Sequence, residues 1–201
     1  MTFTDEDRGR IQAYYVKHLR KHGPFSAQAL SWTNNEAQLI RFQALIGIGD
    51  LEGKSILDVG CGLGDLYQFL KLNFDNFSYL GVDLVPEFIE QAREKYFQAK
   101  FENWDIMDFP DRSFDYVLSS GAMSFKVPQH KEKYFQMINK MFKLSTQGVA
   151  FNMLDRKGHV DDELFAAYDE KEIIDYCQTL TLNFKLINNY SPQDFTVFLY
   201  R

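Results

Sequence analysis

SILDVGCGLGDLYQFL, residues 55–70, packs three glycines and two aspartates between an apolar run and an amphipathic stretch. Ile56, Leu57 and Val59 read as a buried strand and residues 64–73 as a helix, so the glycines stand at a strand-to-helix corner. Gly60, Gly62 and Gly64 lack the Cβ that would hold a ligand away from the backbone. In a parallel α/β sheet, ligands sit at such corners, beyond the carboxyl ends of the strands.

The acids around the corner narrow the ligand. A dinucleotide loop asks for G-x-G-x-x-G, whereas Asp65 takes the place of the third glycine. Asp58, two residues before the first glycine, would repel a pyrophosphate carrying about two negative charges at the adjacent helix start. An ammonium or sulfonium would be attracted instead. Asp83 closes the next apolar run, YLGVDL, where a carboxylate can accept from both hydroxyls of a ribose. Asp105 closes FENWD and can reach the same crevice if the sheet is doubly wound. Three acids at successive strand ends point to a nucleoside bearing a cationic group.

Outward from this corner the chain alternates. SYLGVDL, AKFENWD, FDYVLSS, GVAFNML, TLNFKLINNY and DFTVFLYR read as further strands; VPEFIEQAREKYF, HKEKYFQMINKMFKLS and DEKEIIDYCQTL read as helices. Four strand–helix alternations predict an α/β fold, a doubly wound, seven-stranded, mostly parallel sheet covered on both faces. The last two strands, about three residues apart around Ser191 and Pro192, are expected to form an antiparallel C-terminal hairpin. The first 50 residues read as two helices divided by Gly23 and Pro24, the second with Leu39, Phe42, Leu45 and Ile46 on one face. The expected organisation is one domain over residues 1–201, with 1–50 a helical cap and 51–201 the core.

Composition excludes several classes. A net charge of −6 with interleaved signs leaves no basic footprint for nucleic acid. No run of 18 apolar residues and no apolar leader is present, so no membrane partner and a cytoplasmic location are expected. Cys61 and Cys177 have neither disulfide-framework nor metal-ligand spacing, and no metal is expected.

Three stretches taken together, ILDVGCGLGDL, LGVDLVPEFIEQA and ENWDIMDFPDRSFDYVLSSGA, make the chain resemble the class I S-adenosylmethionine-dependent methyltransferases, a Rossmann-like family. The resemblance implies S-adenosylmethionine as cofactor and S-adenosylhomocysteine as product. It implies that Asp58 and the backbone at Gly60, Cys61 and Gly62 hold the methionine part, that Asp83 binds the ribose, and that Leu84 packs on the adenine. It further implies that Asp105 accepts from the adenine amino group, that the Ile106 backbone N–H meets a ring nitrogen, and that Ser119 adds a contact near the methionine moiety. From the cap, Trp32 is a candidate wall and Arg41 a candidate fork for the methionine carboxylate. Asn152 and Tyr168, in the stretch between the fifth strand and the next helix, are candidates for substrate contact.

Methyl transfer from a sulfonium is an in-line displacement that needs a base only when the acceptor must lose a proton. Of the four histidines, His130, close behind the fourth strand, is the weak candidate. The acceptor is expected to be a small molecule, since SSGAMS at the fourth strand end differs from the Asn/Asp-Pro-Pro-aromatic signature of nucleobase and amide methylation. A non-catalytic cofactor-binding module, a protein or nucleic-acid acceptor, and a different nucleotide cofactor such as NAD remain as alternatives. The acceptor atom and the oligomeric state stay open.

Overall fold

SILDV forms β1 (Ser55–Val59), an inner strand of a seven-stranded sheet in this computed structural model, which describes residues 2–159 and 162–201. Along the chain follow α3 (Asp65–Asn73), β2 (Ser78–Asp83), α4 (Pro86–Lys95), β3 (Lys100–Asn103), β4 (Phe114–Ser120), α5 (His130–Leu144), β5 (Ser145–Leu154), α6 (Glu170–Cys177), β6 (Phe184–Ile187) and β7 (Asp194–Tyr200). Before β1 come α1 (Asp5–His22), a 3₁₀ turn over Ala27–Leu30, and α2 (Asn35–Leu45). The strand order is 3-2-1-4-5-7-6; β1 to β5 pair in parallel, and β7 runs antiparallel to both β5 and β6. The expected doubly wound sheet is therefore present. β7 inserts between β5 and β6, and six residues, not three, join the two strands of the hairpin.

The period of two along β1 divides its residues between the faces. Leu57 and Val59 enter a core with α5 and α6, while Ile56 packs on the α3 side, so Asp58 points to that same second face. Leu57, Val117, Val149 and Val197 are fully buried; each such side chain contributes about 1.5–3 kcal/mol.

α1 starts with a capping box, Thr4 and Asp7 bonding reciprocally, and ends at Gly23, whose φ of 77° a side chain would resist. Long-range contacts fix it to the core, among them Lys133 Nζ to Asp7 at 2.5 Å, Arg8 Nε to Asp105 at 2.8 Å, Arg8 Nη2 to Asp108 at 2.7 Å, and Gln12 Nε2 donating to the Leu84 carbonyl at 2.9 Å. The buried face of α2 differs from the apolar stripe expected for it. It carries Gln38, Arg41, Phe42 and Leu45, while Leu39 is half exposed, because this helix packs over polar groups at the strand ends.

Candidate functional site

A cleft opens at the carboxyl ends of β1, β2 and β4, where a parallel α/β sheet binds its ligands. Four short segments that follow strands supply its floor and sides: 59–62, 82–85, 104–106 and 120–122. α1 and the turn after it close it with Ile11, Tyr15 and Trp32. At the loop, Gly60 has φ 73°, and a Cβ there would collide with Ala122; one at Gly121, φ 74°, would lie 2.5 Å from Trp32. The backbone is thus drawn against its neighbours at both corners.

Asp58 is buried and accepts from the Tyr79 hydroxyl at 2.7 Å. Burial pushes its ionisation up to about 7, against the opposing effect of the Tyr79 hydrogen bond. It borders a small space beside Gly60, Cys61, Trp32 and Ser120. No cation is bonded to it among the described residues, which is the electrostatic situation an ammonium or sulfonium would relieve. Asp83 accepts from the Gly62 N–H and the Val85 N–H, both at 2.8 Å, so one carboxylate ties the glycine loop to the start of α4. Burial moves it up to about 6 even so. Each Asp83 oxygen retains a second acceptor position, enough for a pair of hydroxyls.

Leu84 and Ile106 line the cleft together with Phe88 and Trp104, forming apolar walls that an aromatic base requires. Asp105 lines it too, but its oxygens already accept from Arg8 Nε and the Met107 N–H, so α1 reaches over the base end. Cys61 is buried beneath the loop, its thiol pushed well above its usual range by burial; its N–H donates to the Val82 carbonyl and its carbonyl accepts from the Gly64 N–H.

Ser119, Arg41 and His130 do not line this cleft. Ser119 is sealed within the sheet, its hydroxyl bonded to the Val59 carbonyl at 2.9 Å; Ser120 and Gly121, one and two positions on, reach the cleft. Arg41 is not a free fork. Its Nε and Nη2 both pair with Asp194 at 2.7 Å, Nη1 donates to the Ala37 carbonyl, and Trp32 covers the guanidinium at 4.6 Å. His130 begins α5 against Tyr134 and Tyr168 and lines neither the cleft nor its neighbour described next.

That neighbour is a second cavity, sharing Tyr15, Leu30, Trp32 and Gly121 with the first. Its polar lining includes Arg41, Asp194, Asn152 and His159, residues spread over the whole chain. Asn152 knits it together, donating to the Arg41 carbonyl and accepting from Ser120 Oγ and the Gly121 N–H. The segment from Asn152 to Tyr168 does not project from the fold: Lys126 N–H bonds the Leu164 carbonyl, and Ala166 N–H bonds that of Ser124. Val160 and Asp161, within this stretch, lie outside the described residues. Tyr168 is buried away from both spaces, whereas Asn152 borders the second. Tyr15 and Asp194 escaped the sequence reading because nothing local marks them; only the closing of α1 and the insertion of β7 bring them in.

Comparison with known proteins places these residues in context. A family model described as "Methyltransferase domain" matches residues 56–145. An uncharacterized protein of Rickettsia prowazekii is 32% identical over 109 residues, half of this chain and 42% of that one. A fatty-acid O-methyltransferase of Mycolicibacterium smegmatis is 39% identical over 74 residues, 35% of this chain and 27% of its own length. The chain thus spans less than half of either relative. Among solved structures, the magnesium protoporphyrin IX methyltransferase of Synechocystis PCC 6803 with bound SAH superposes with a TM-score of 0.71 at 13% identity, over 96% of this chain and 97% of that one.

Proposed function

The chain belongs to the class I S-adenosylmethionine-dependent methyltransferases, and on that premise we propose that it transfers a methyl group from S-adenosylmethionine to a small-molecule acceptor. The observation that carries this reading is the row of strand-end carboxylates, with Asp58 buried, raised to about 7 and unpaired with any cation beside an open glycine corner. A pyrophosphate would add negative charge there; a sulfonium nucleoside with an ammonium group would remove the strain.

In this assignment Asp83 receives the ribose hydroxyls, and Leu84, Ile106 and Trp104 enclose the base, with Asp105 at its amino edge. The backbone at Gly60, Cys61 and Gly62 and the Asp58 carboxylate hold the amino-acid end, beneath Trp32. When bound, the cofactor supplies a methyl group on a leaving group that needs no acid. What remains for the protein is alignment and exclusion of water, and alignment alone can supply about 7–11 kcal/mol. Residues 1–50 act as the cap for a single domain, a role supported by the contacts of Arg8 and Gln12 with the cleft rim. The small acceptor is supported by the second cavity beside the cleft and by the acidic chain.

Isothermal titration tests the reading. Both S-adenosylmethionine and S-adenosylhomocysteine should bind and NAD should not, and Asp83→Ala should weaken binding at least 100-fold. Equal affinity of the variant, or binding of NAD alone, overturns it.

A further inference from the structure

We propose that Tyr79 is a positioning residue for the cofactor: its buried hydroxyl holds the Asp58 carboxylate charged and in place for the ligand's ammonium, and so sets how acidic a solution the site tolerates. The proposal rests on the methyltransferase reading above. Tyr79 Oη donates to Asp58 Oδ2 at 2.7 Å, and no hydrogen bond among the described residues engages Oδ1. Asp58 borders the small space at the glycine corner, so the protein holds one oxygen and leaves the other available there.

The register of the sheet makes this bond. Asp58 of β1 pairs with Gly81 of β2, and Ile56 pairs with Tyr79, so Tyr79 stands two residues back on the same face. A Cβ at Gly81 would lie 2.7 Å from the Phe101 ring and 2.9 Å from Cys61 Sγ. The position directly opposite Asp58 therefore stays bare, and the carboxylate falls to the longer reach of Tyr79. Tyr67 and Phe101 pack on the Tyr79 ring, with centroids at 5.2 and 5.7 Å, and fix where its hydroxyl lies. Burial pushes the ionisation of that hydroxyl well above its usual value, so it remains a donor.

The groups facing Asp58 from the other elements do not replace this donor. Burial, with Asp83 of β2 and Asp65 at the start of α3, opposes its ionisation. Asp65 is held by Lys95 Nζ of α4 at 2.8 Å, by Gln38 of α2 and by Tyr96. Cys61 stays a neutral thiol, and Leu118, the partner of Asp58 on β4, is apolar. Across the small space stand Trp32 and Ser120, both uncharged, and Ser120 Oγ is bonded to Asn152. Arg41, beneath Trp32, is paired with Asp194. The Tyr79 bond is what counteracts burial, and Asp58 still ionises only at about 7. A hydrogen bond to the charged form favours that form, and an ammonium needs a charged partner.

Calorimetric titration with two ligands tests this. S-Adenosylhomocysteine carries the ammonium; methylthioadenosine keeps the nucleoside and lacks the amino-acid end. The ratio of their affinities cancels the titration of Asp83, which meets the ribose of both. In wild type that ratio should climb with pH and level off above about 7. Loss of a hydrogen bond to a charged group should move this midpoint up by about one to two pH units in Tyr79→Phe, making the ratio about 5- to 50-fold lower at pH 7. Methylthioadenosine affinity should stay within twofold of wild type. Asp58→Asn should flatten the ratio, and adding Tyr79→Phe to it should then change nothing. An unmoved midpoint in Tyr79→Phe, an equal loss for both ligands, or a pH-dependent ratio in Asp58→Asn overturns the proposal while leaving the methyltransferase reading intact. Failure of S-adenosylhomocysteine to bind wild type at every pH overturns both.

Discussion

The two adjoining spaces are built in opposite ways. Loops directly after β1, β2, β3 and β4 frame the first; Asp83 on its wall and Asp58, which borders the small space beside it, are held without a cation among the described residues. Residues far apart in the chain frame the second, and its acid is fully paired: Arg41 and Asp194 are 153 positions apart and bonded at 2.7 Å. One site is electrostatically strained for a ligand; the other is settled by its own side chains. The two should therefore respond to charge removal with opposite signs.

The largest effect is expected at the paired acid. Arg41→Ala leaves Asp194 buried without its partner and should cost about 3–5 kcal/mol of stability, read by urea denaturation. A loss under about 1 kcal/mol would break the contrast. At the strained acid the sign reverses. Asp58→Asn should raise stability by about 2 kcal/mol at pH 8 while weakening S-adenosylmethionine binding at least tenfold. The folded-state ionisation of Asp58, about 7, lies above its usual value of 3.8. Its contribution to stability is therefore complete below about 3.8 and is lost as pH rises through 7. Cofactor affinity should in turn increase from pH 5.5 to 7.5 in wild type and flatten in the variant; a flat wild-type profile would remove Asp58 from the site. The smallest effect is expected at the rim. Arg8, whose side chain is 26% exposed, bridges Asp105 and Asp108, and Arg8→Ala should lower Tm by no more than about 4 °C. That shift should shrink in 0.5 M salt, and persistence there would mean that the pair is less solvated than its exposure indicates.

Much of the first space was legible because its determinants are local. A strand, a glycine corner and a helix within residues 55–70 require no knowledge of the rest of the chain, and Asp83 and Asp105 stand behind their own apolar runs. Ser119 shows how narrow that legibility is: alternation along β4 turns it into the sheet and gives the neighbouring positions to the cleft. Arg41 shows where it fails. A helix charge looks the same whether it faces water, a ligand or a buried acid, and only the position of β7 selects among these. The stripe assigned to α2 was displaced for the same reason, since the surface it covers is polar.

What the sequence by itself determined is the parallel sheet, the glycine corner and the placing of Asp58, Asp83 and Asp105 at or near successive strand ends, because period-two burial and strand-end chemistry act over a few residues. The tertiary structure alone decided the order in which β7 enters the sheet and the pairing of Arg41 with Asp194. Those depend on which distant segments meet, and long-range packing leaves no periodic trace in the chain.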